Sequence, residues 1–185
     1  MLDFSQCQLE NIINDRGNHP GQSHAMLLKR SLALFQHAHG NGRFYRLIRR
    51  IQNKPVQLIN LETLPESPSD NRHYAGIQPV SINQVQGTLG RDQDFDTHFH
   101  PLRERMRDRW VSIAIARLMH IPLEPVKLIQ RGEQYFVVDG HHRISVARTL
   151  RESFIDAEVT IWKTAEEVVS IPEPANRSGL VQSLI

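Results

Sequence analysis

The chain is predicted to hold an α/β domain behind a helical N-terminal extension, and three observations lead there. Residues 125–129 and 135–138 are β-type runs flanking Arg131-Gly132-Glu133, which reads as a hairpin. The second run enters Asp139-Gly140-His141-His142-Arg143, after which Ile144, Ala147 and Leu150 recur at helical spacing. Residues 155–162 then alternate as a further strand. Before residue 65 the apolar pattern is helical.

Composition narrows the setting. Apolar residues make up 39% and charged residues 23%, which fits a globular domain, and the net charge of +2 neither demands nor excludes nucleic acid. Cys7 is the single cysteine, so an internal disulfide and a cysteine-based metal site within one chain are excluded. A cytoplasmic setting is expected. No apolar run approaches about 18 residues, and Asp3 and Gln6 stand where a secretion signal needs a basic start.

In chain order, Leu9, Ile12 and Ile13 ahead of the turn formers from Asn14 to Gly21 suggest a short helical arm. From Ser23, a natural N-cap, the pattern Met26, Leu27, Leu28, Leu32, Leu34 and Phe35 predicts a helix that stops at Gly40-Asn41-Gly42. A second helix is expected over 43–53, with Phe44, Leu47, Ile48 and Ile51 as its buried face. Its Arg43, Arg46, Arg49 and Arg50 read as a solvated face in preference to a nucleic-acid contact. Residues 56–61 suit a short strand. The prolines and polar residues of 65–72 mark a linker, which divides the chain into a helical extension (1–64), a linker (65–75), an α/β domain (76–170) and a tail (171–185). Within the domain, 80–85 reads as a mostly alternating strand, and Gly87 and Gly90 punctuate the stretch after it. Pro101 suits the first position of a basic helix with Trp110, Ile113 and Leu118 on its buried side. Thr164-Ala165-Glu166-Glu167 is a capping box opening a last short helix.

Two stretches carry chemistry. The first is the motif at 139–143, where a glycine precedes a helix whose free N–H groups and dipole favour an anion, with His141, His142 and Arg143 at the same place. A phosphate is the expected ligand. A structural reading is also open, in which the polar side chains only cap and brace the turn. The second is Asp94-Phe95-Asp96-Thr97-His98-Phe99-His100, whose alternation would place two carboxylates and two imidazoles on one face if the backbone were extended. Asp94, Asp96 and His98 are its candidate metal ligands, magnesium being the natural ion beside a nucleotide, while Phe95 and Phe99 explain themselves as core.

The order of hairpin, Asp-Gly-His-His-Arg motif, helix and the strand Ile155-Asp156-Ala157-Glu158-Val159 resembles the core of the ParB and sulfiredoxin superfamily over roughly residues 76–162. Gly76-Ile77-Gln78-Pro79-Val80 is similar to its first strand. Gly87-Thr88-Leu89-Gly90-Arg91, Asp94-Phe95-Asp96 and Arg109-Trp110 resemble a bacterial ParB-like group. The resemblance implies a mixed β-sheet with surrounding helices. It also implies a nucleoside phosphate (ATP, ADP or CTP), with magnesium as an optional companion, held by Gly140, His141, His142, Arg143 and Arg91.

Function within such a superfamily follows the site and not the fold. Sulfiredoxins carry a cysteine where this chain has His141, so rescue of a sulfinic acid is not expected. ParB proteins carry Gly-Glu-Arg-Arg in place of Gly140-His141-His142-Arg143 and continue into a helix-turn-helix reader, for which the residues after Trp162 are too few. DNA is therefore a disfavoured partner. The free serine kinases share the Asp-Gly-His-His-Arg type of motif, which implies nucleotide-dependent phosphoryl transfer or hydrolysis. Gly140 and the N–H groups of His141 and His142 would then cradle phosphate, Arg143 would neutralise charge, and Asp139 and His142 would take catalytic roles. Residues 80–90 lack the acidic residue those kinases use as base, which leaves Asp94 or Asp96. The alternative is a non-enzymatic ParB-like regulator or DNA-associated module. No membrane partner is expected, and a homo-oligomer stays open.

Overall fold

The computed structural model describes residues 20–64 and 72–162. Strands β1 (Ile59–Asn60), β2 (Arg72–Ser81), β3 (Val85–Thr88), β4 (Val126–Arg131), β5 (Gln134–Asp139) and β6 (Phe154–Trp162) form one sheet in the order β1-β3-β5-β4-β6-β2. The sheet is mixed: β1 with β3, β3 with β5 and β4 with β6 run parallel, while β4 with β5 and β2 with β6 run antiparallel. The predicted hairpin is β4 and β5, turning at Gly132, whose φ of +58° suits a residue without a side chain. Helices are α1 (Pro20–Ile51), α2 (Arg107–Leu118) and α3 (His141–Thr149), so the motif does open a helix at the end of β5.

Two of the three apolar clusters among the described residues position the helices. Alternate residues of the central strands, among them Val126, Leu128, Val137 and Val159, pack with Ile144 and Ala147 of α3 and with Phe95 and Phe99. Phe35 and Ala38 of α1 meet Trp110 and Ala114 of α2 and Val146 of α3 in the second cluster. The Trp110 ring stands edge-on to Phe35 at 5.6 Å, and its Nε1–H donates to Ser145 Oγ at 2.9 Å, satisfying the indole in a dry setting. Arg148 of α3 is held by a different logic: its Nη2 donates to the Ile82 carbonyl at 2.9 Å and its guanidinium lies over Phe99, bracing the β2–β3 turn. Burial pulls its pKa downward.

Several sequence expectations are corrected. Gly40-Asn41-Gly42 does not end a helix; α1 runs through it for 32 residues. An interior glycine costs about 1 kcal/mol, and Gly42 offsets this by close approach, because a Cβ there would lie 2.9 Å from His100 Cβ. Phe44, Leu47 and Ile51 are exposed and not the buried face, since α1 rests at Gly42 on the His100 and Leu102 side chains and leaves these residues open. Residues 72–75, expected as linker, are the first part of β2, paired with β6 through a bulge at Tyr74/Gly76. Residues 80–85 are not one strand, because a 3-10 turn (Ile82–Gln84) separates β2 from β3. Pro101 forms a bridge with Phe95, and α2 starts only at Arg107, after a 3-10 turn at Glu104–Met106. The expected short arm before Pro20, the linker at 65–71, the capping box at Thr164 and the tail lie outside the described residues. Among the described residues no helix is long and apolar enough to cross a membrane.

Candidate anion site at the start of α3

Gly140 makes the site's geometry. Its φ of +95° is left-handed, and a Cβ at this position would fall 2.5 Å from Val126 Cγ1, so strand and helix meet here only around a glycine. The Gly140 carbonyl accepts the Ile144 N–H at 3.0 Å, which starts the helical ladder. The N–H groups of His141, His142 and Arg143 come too early in the helix to find an intrahelical acceptor, and they stand at the positive end of its dipole.

Both histidines are buried, at 3% and 8% exposure, and they are used differently. His141 Nε2 shares a 2.6 Å hydrogen bond with Thr88 Oγ1, and its ring stacks on Phe95 at 5.8 Å. His142 meets the edge of Phe95 at 5.5 Å, but its buried Nδ1 has no hydrogen-bond partner among the described residues. Burial is the main reason that both pKa values fall to about 4, so both rings are neutral at pH 7. The Arg91 guanidinium pushes His141 further down, and Arg109 followed by Arg91 does the same to His142. A neutral ring carries one donor and one acceptor nitrogen, so His142 retains unused hydrogen-bonding capacity beside the helix start.

The charges around the pair divide into engaged and open ones. Arg143 Nη1 donates to the Glu124 carbonyl and Nη2 to Asp139 Oδ2, each at 2.6 Å, so this arginine ties β5 and the 124–125 backbone to α3. Asp94 is paired with Arg103 at 3.1 Å and Arg105 at 3.4 Å. Arg91 and Arg109 are exposed and have no ion-pair partner among the described residues, yet both bear on the buried imidazoles. They are the uncommitted cations of the site.

The stretch at 94–100 is not extended. It folds into a tight turn with Phe99 at φ +60°, and the fully buried Asp96 is its knot. Asp96 Oδ1 accepts the N–H groups of His98 and His100, and Oδ2 meets His100 Nδ1, all at 2.9 Å. His98 instead lies against the Tyr45 ring at 4.5 Å. Among the described residues no three histidine, cysteine or acidic side chains converge, and Asp94, Asp96 and His98, the candidate magnesium ligands, each meet other partners. The alternation at 94–100 reflects core packing by Phe95 and Phe99.

Thr88, Phe95 and Arg109 are site residues that the sequence did not single out in this role. Thr88 ends β3, the neighbour of β5, and this parallel pairing alone brings it to His141. Arg109 reads as one more charge on a basic helix until the burial of Trp110 fixes how α2 lies on the core.

No family model matches the chain, and no curated protein is significantly similar to it. Among solved structures the chain is similar to a sulfiredoxin from Arabidopsis thaliana, with 14% identity over 50% of this chain and 91% of that one and a TM-score of 0.37. At this depth the similarity says nothing of the site or its chemistry.

Proposed function

We propose that the chain binds a nucleoside phosphate, such as ATP, ADP or CTP, at the start of α3 and holds it without transferring its phosphate. The observation that carries this reading is the Nδ1 of a neutral, buried His142 at a glycine-opened helix start, which has no partner among the described residues, together with Arg91 and Arg109, which have no ion-pair partner among those residues and whose charges bear on the ring. A buried polar atom left without a partner is destabilising by about 1–3 kcal/mol, so a group that completes it is favoured. Phosphate oxygens would meet the N–H groups of His141 and His142 and the two arginines.

Holding is favoured over chemistry because each expected carboxylate base is already engaged and the His142 ring, with its pKa lowered to about 4, is a weak base. Asp139 is bonded to Arg143, Asp94 to two arginines, and Asp96 to its own turn. Catalysis needs a base free to reach a substrate hydroxyl. A regulatory role, with nucleotide as the signal, fits better than a kinase.

Thermal stabilisation by ATP, ADP, CTP and GTP tests the reading. A nucleotide at about a hundred times its dissociation constant adds about 2.7 kcal/mol to the wild type. The double variant Arg91→Gln/Arg109→Gln is expected to lose that shift while keeping its unliganded melting temperature. No shift with any of the four overturns binding. Steady release of phosphate from ATP that disappears in Asp139→Asn overturns holding in favour of hydrolysis.

A further inference from the structure

The second half of α1, residues 55–57 and the 93–103 loop border a separate open cleft of about 540 Å³, within the usual range for small-molecule sites. Its walls carry Arg46 and Arg50 from α1, Arg103 from the loop, and the amides of Gln57 and Gln93. Among the described residues no acidic side chain lines it. Arg46 and Arg50 are four residues apart and so share one helix face. Gly42, one turn earlier, lets that helix close onto His100 and Leu102, which brings the two arginines opposite Arg103.

Three guanidiniums of like sign beside one cleft repel each other, and only Arg103 has a carboxylate partner, Asp94 at 3.1 Å. Arg46 and Arg50 have no ion-pair partner among the described residues. Val56 and Leu102 add an apolar wall. We propose that this cleft is a second anion site, distinct from the start of α3, which takes a small molecule bearing two or more phosphate groups. Several planar forks around one cleft match a compact polyanion, and a concave site of this size fits such a molecule better than a duplex, which needs an extended basic track. The cleft does not depend on how the histidine site is used.

Titration calorimetry of the whole chain with inorganic tripolyphosphate tests this. The wild type is expected to show one class of site from this cleft, and a second class where the start of α3 also takes the probe. Arg46→Gln/Arg50→Gln removes the cleft class with at least a tenfold loss of affinity, and Arg91→Gln/Arg109→Gln leaves that same class intact. Arg46→Lys/Arg50→Lys keeps part of the affinity, because charge remains while the fork is lost. Melting temperatures and far-UV circular dichroism of the variants check that these exposed substitutions leave the fold unchanged. Stoichiometry that Arg46→Gln/Arg50→Gln does not alter overturns the proposal. So does binding of a 20-base-pair DNA duplex that is lost in that variant while tripolyphosphate binding is not.

Discussion

The 94–100 turn and the start of α3 are both built of histidine and aspartate around Phe95, and they differ in where their polar atoms go. In the turn, Asp96 is fully buried and its bonds close on the local backbone and on His100. At the helix start, His141 Nε2 bonds to Thr88 of a neighbouring strand, while His142 Nδ1 has no partner among the described residues and Arg91 and Arg109, without an ion pair among those residues, bear on its ring. The same residue types therefore serve structure where they satisfy each other and suit a ligand where they do not. Composition alone does not separate the two cases.

The largest effect is expected where bonding is complete. Asp96→Ala strips a buried turn of its acceptor and leaves three donors unpaired, so a loss of about 4 kcal/mol is predicted in urea unfolding. A loss under about 1 kcal/mol would mean that the turn is not the knot it resembles.

Next comes pH. Each ring titrates at about 4 in the folded protein and near 6.5 when unfolded. Between those values the unfolded chain binds more protons, so stability is complete above about pH 6.5 and is lost as pH falls toward 4. At about 1.4 kcal/mol per unit for each ring the ceiling is several kcal/mol, and His142→Phe is expected to flatten part of that slope. An unchanged slope would place the titration elsewhere.

The smallest effect falls on the open side of the comparison. His142→Phe removes an unpartnered polar atom from an apolar environment, so its stability at pH 7 is predicted to lie within about 1 kcal/mol of the wild type or above it, while nucleotide stabilisation disappears. A loss of 3 kcal/mol or more, measured by urea unfolding, would mark His142 as a structural residue like Asp96.

The hairpin, the glycine turn, α3 and β6 are legible in the sequence because each rests on local periodicity or on one residue's backbone preference. The α/β class and mixed sheet follow from that part of the chain. The loop at 94–100 misleads because a period of two appears wherever alternate side chains are buried, in a knotted turn as well as in a strand. Gly42 reads as a helix stop until the His100 and Leu102 side chains are seen packed against it. Thr88 and Arg109 reach the histidines only through tertiary structure, and no local pattern encodes that meeting.

Nucleotide binding at His142 is tested most directly by the ring nitrogen spectrum of ¹⁵N-histidine-labelled protein titrated with ATP at pH 7. Both His142 ring nitrogens are predicted to report a neutral imidazole before addition and to move with saturation, while those of His98, packed on Tyr45, stay in place. Saturable ATP binding that leaves the His142 nitrogens unmoved would contradict a site at the start of α3.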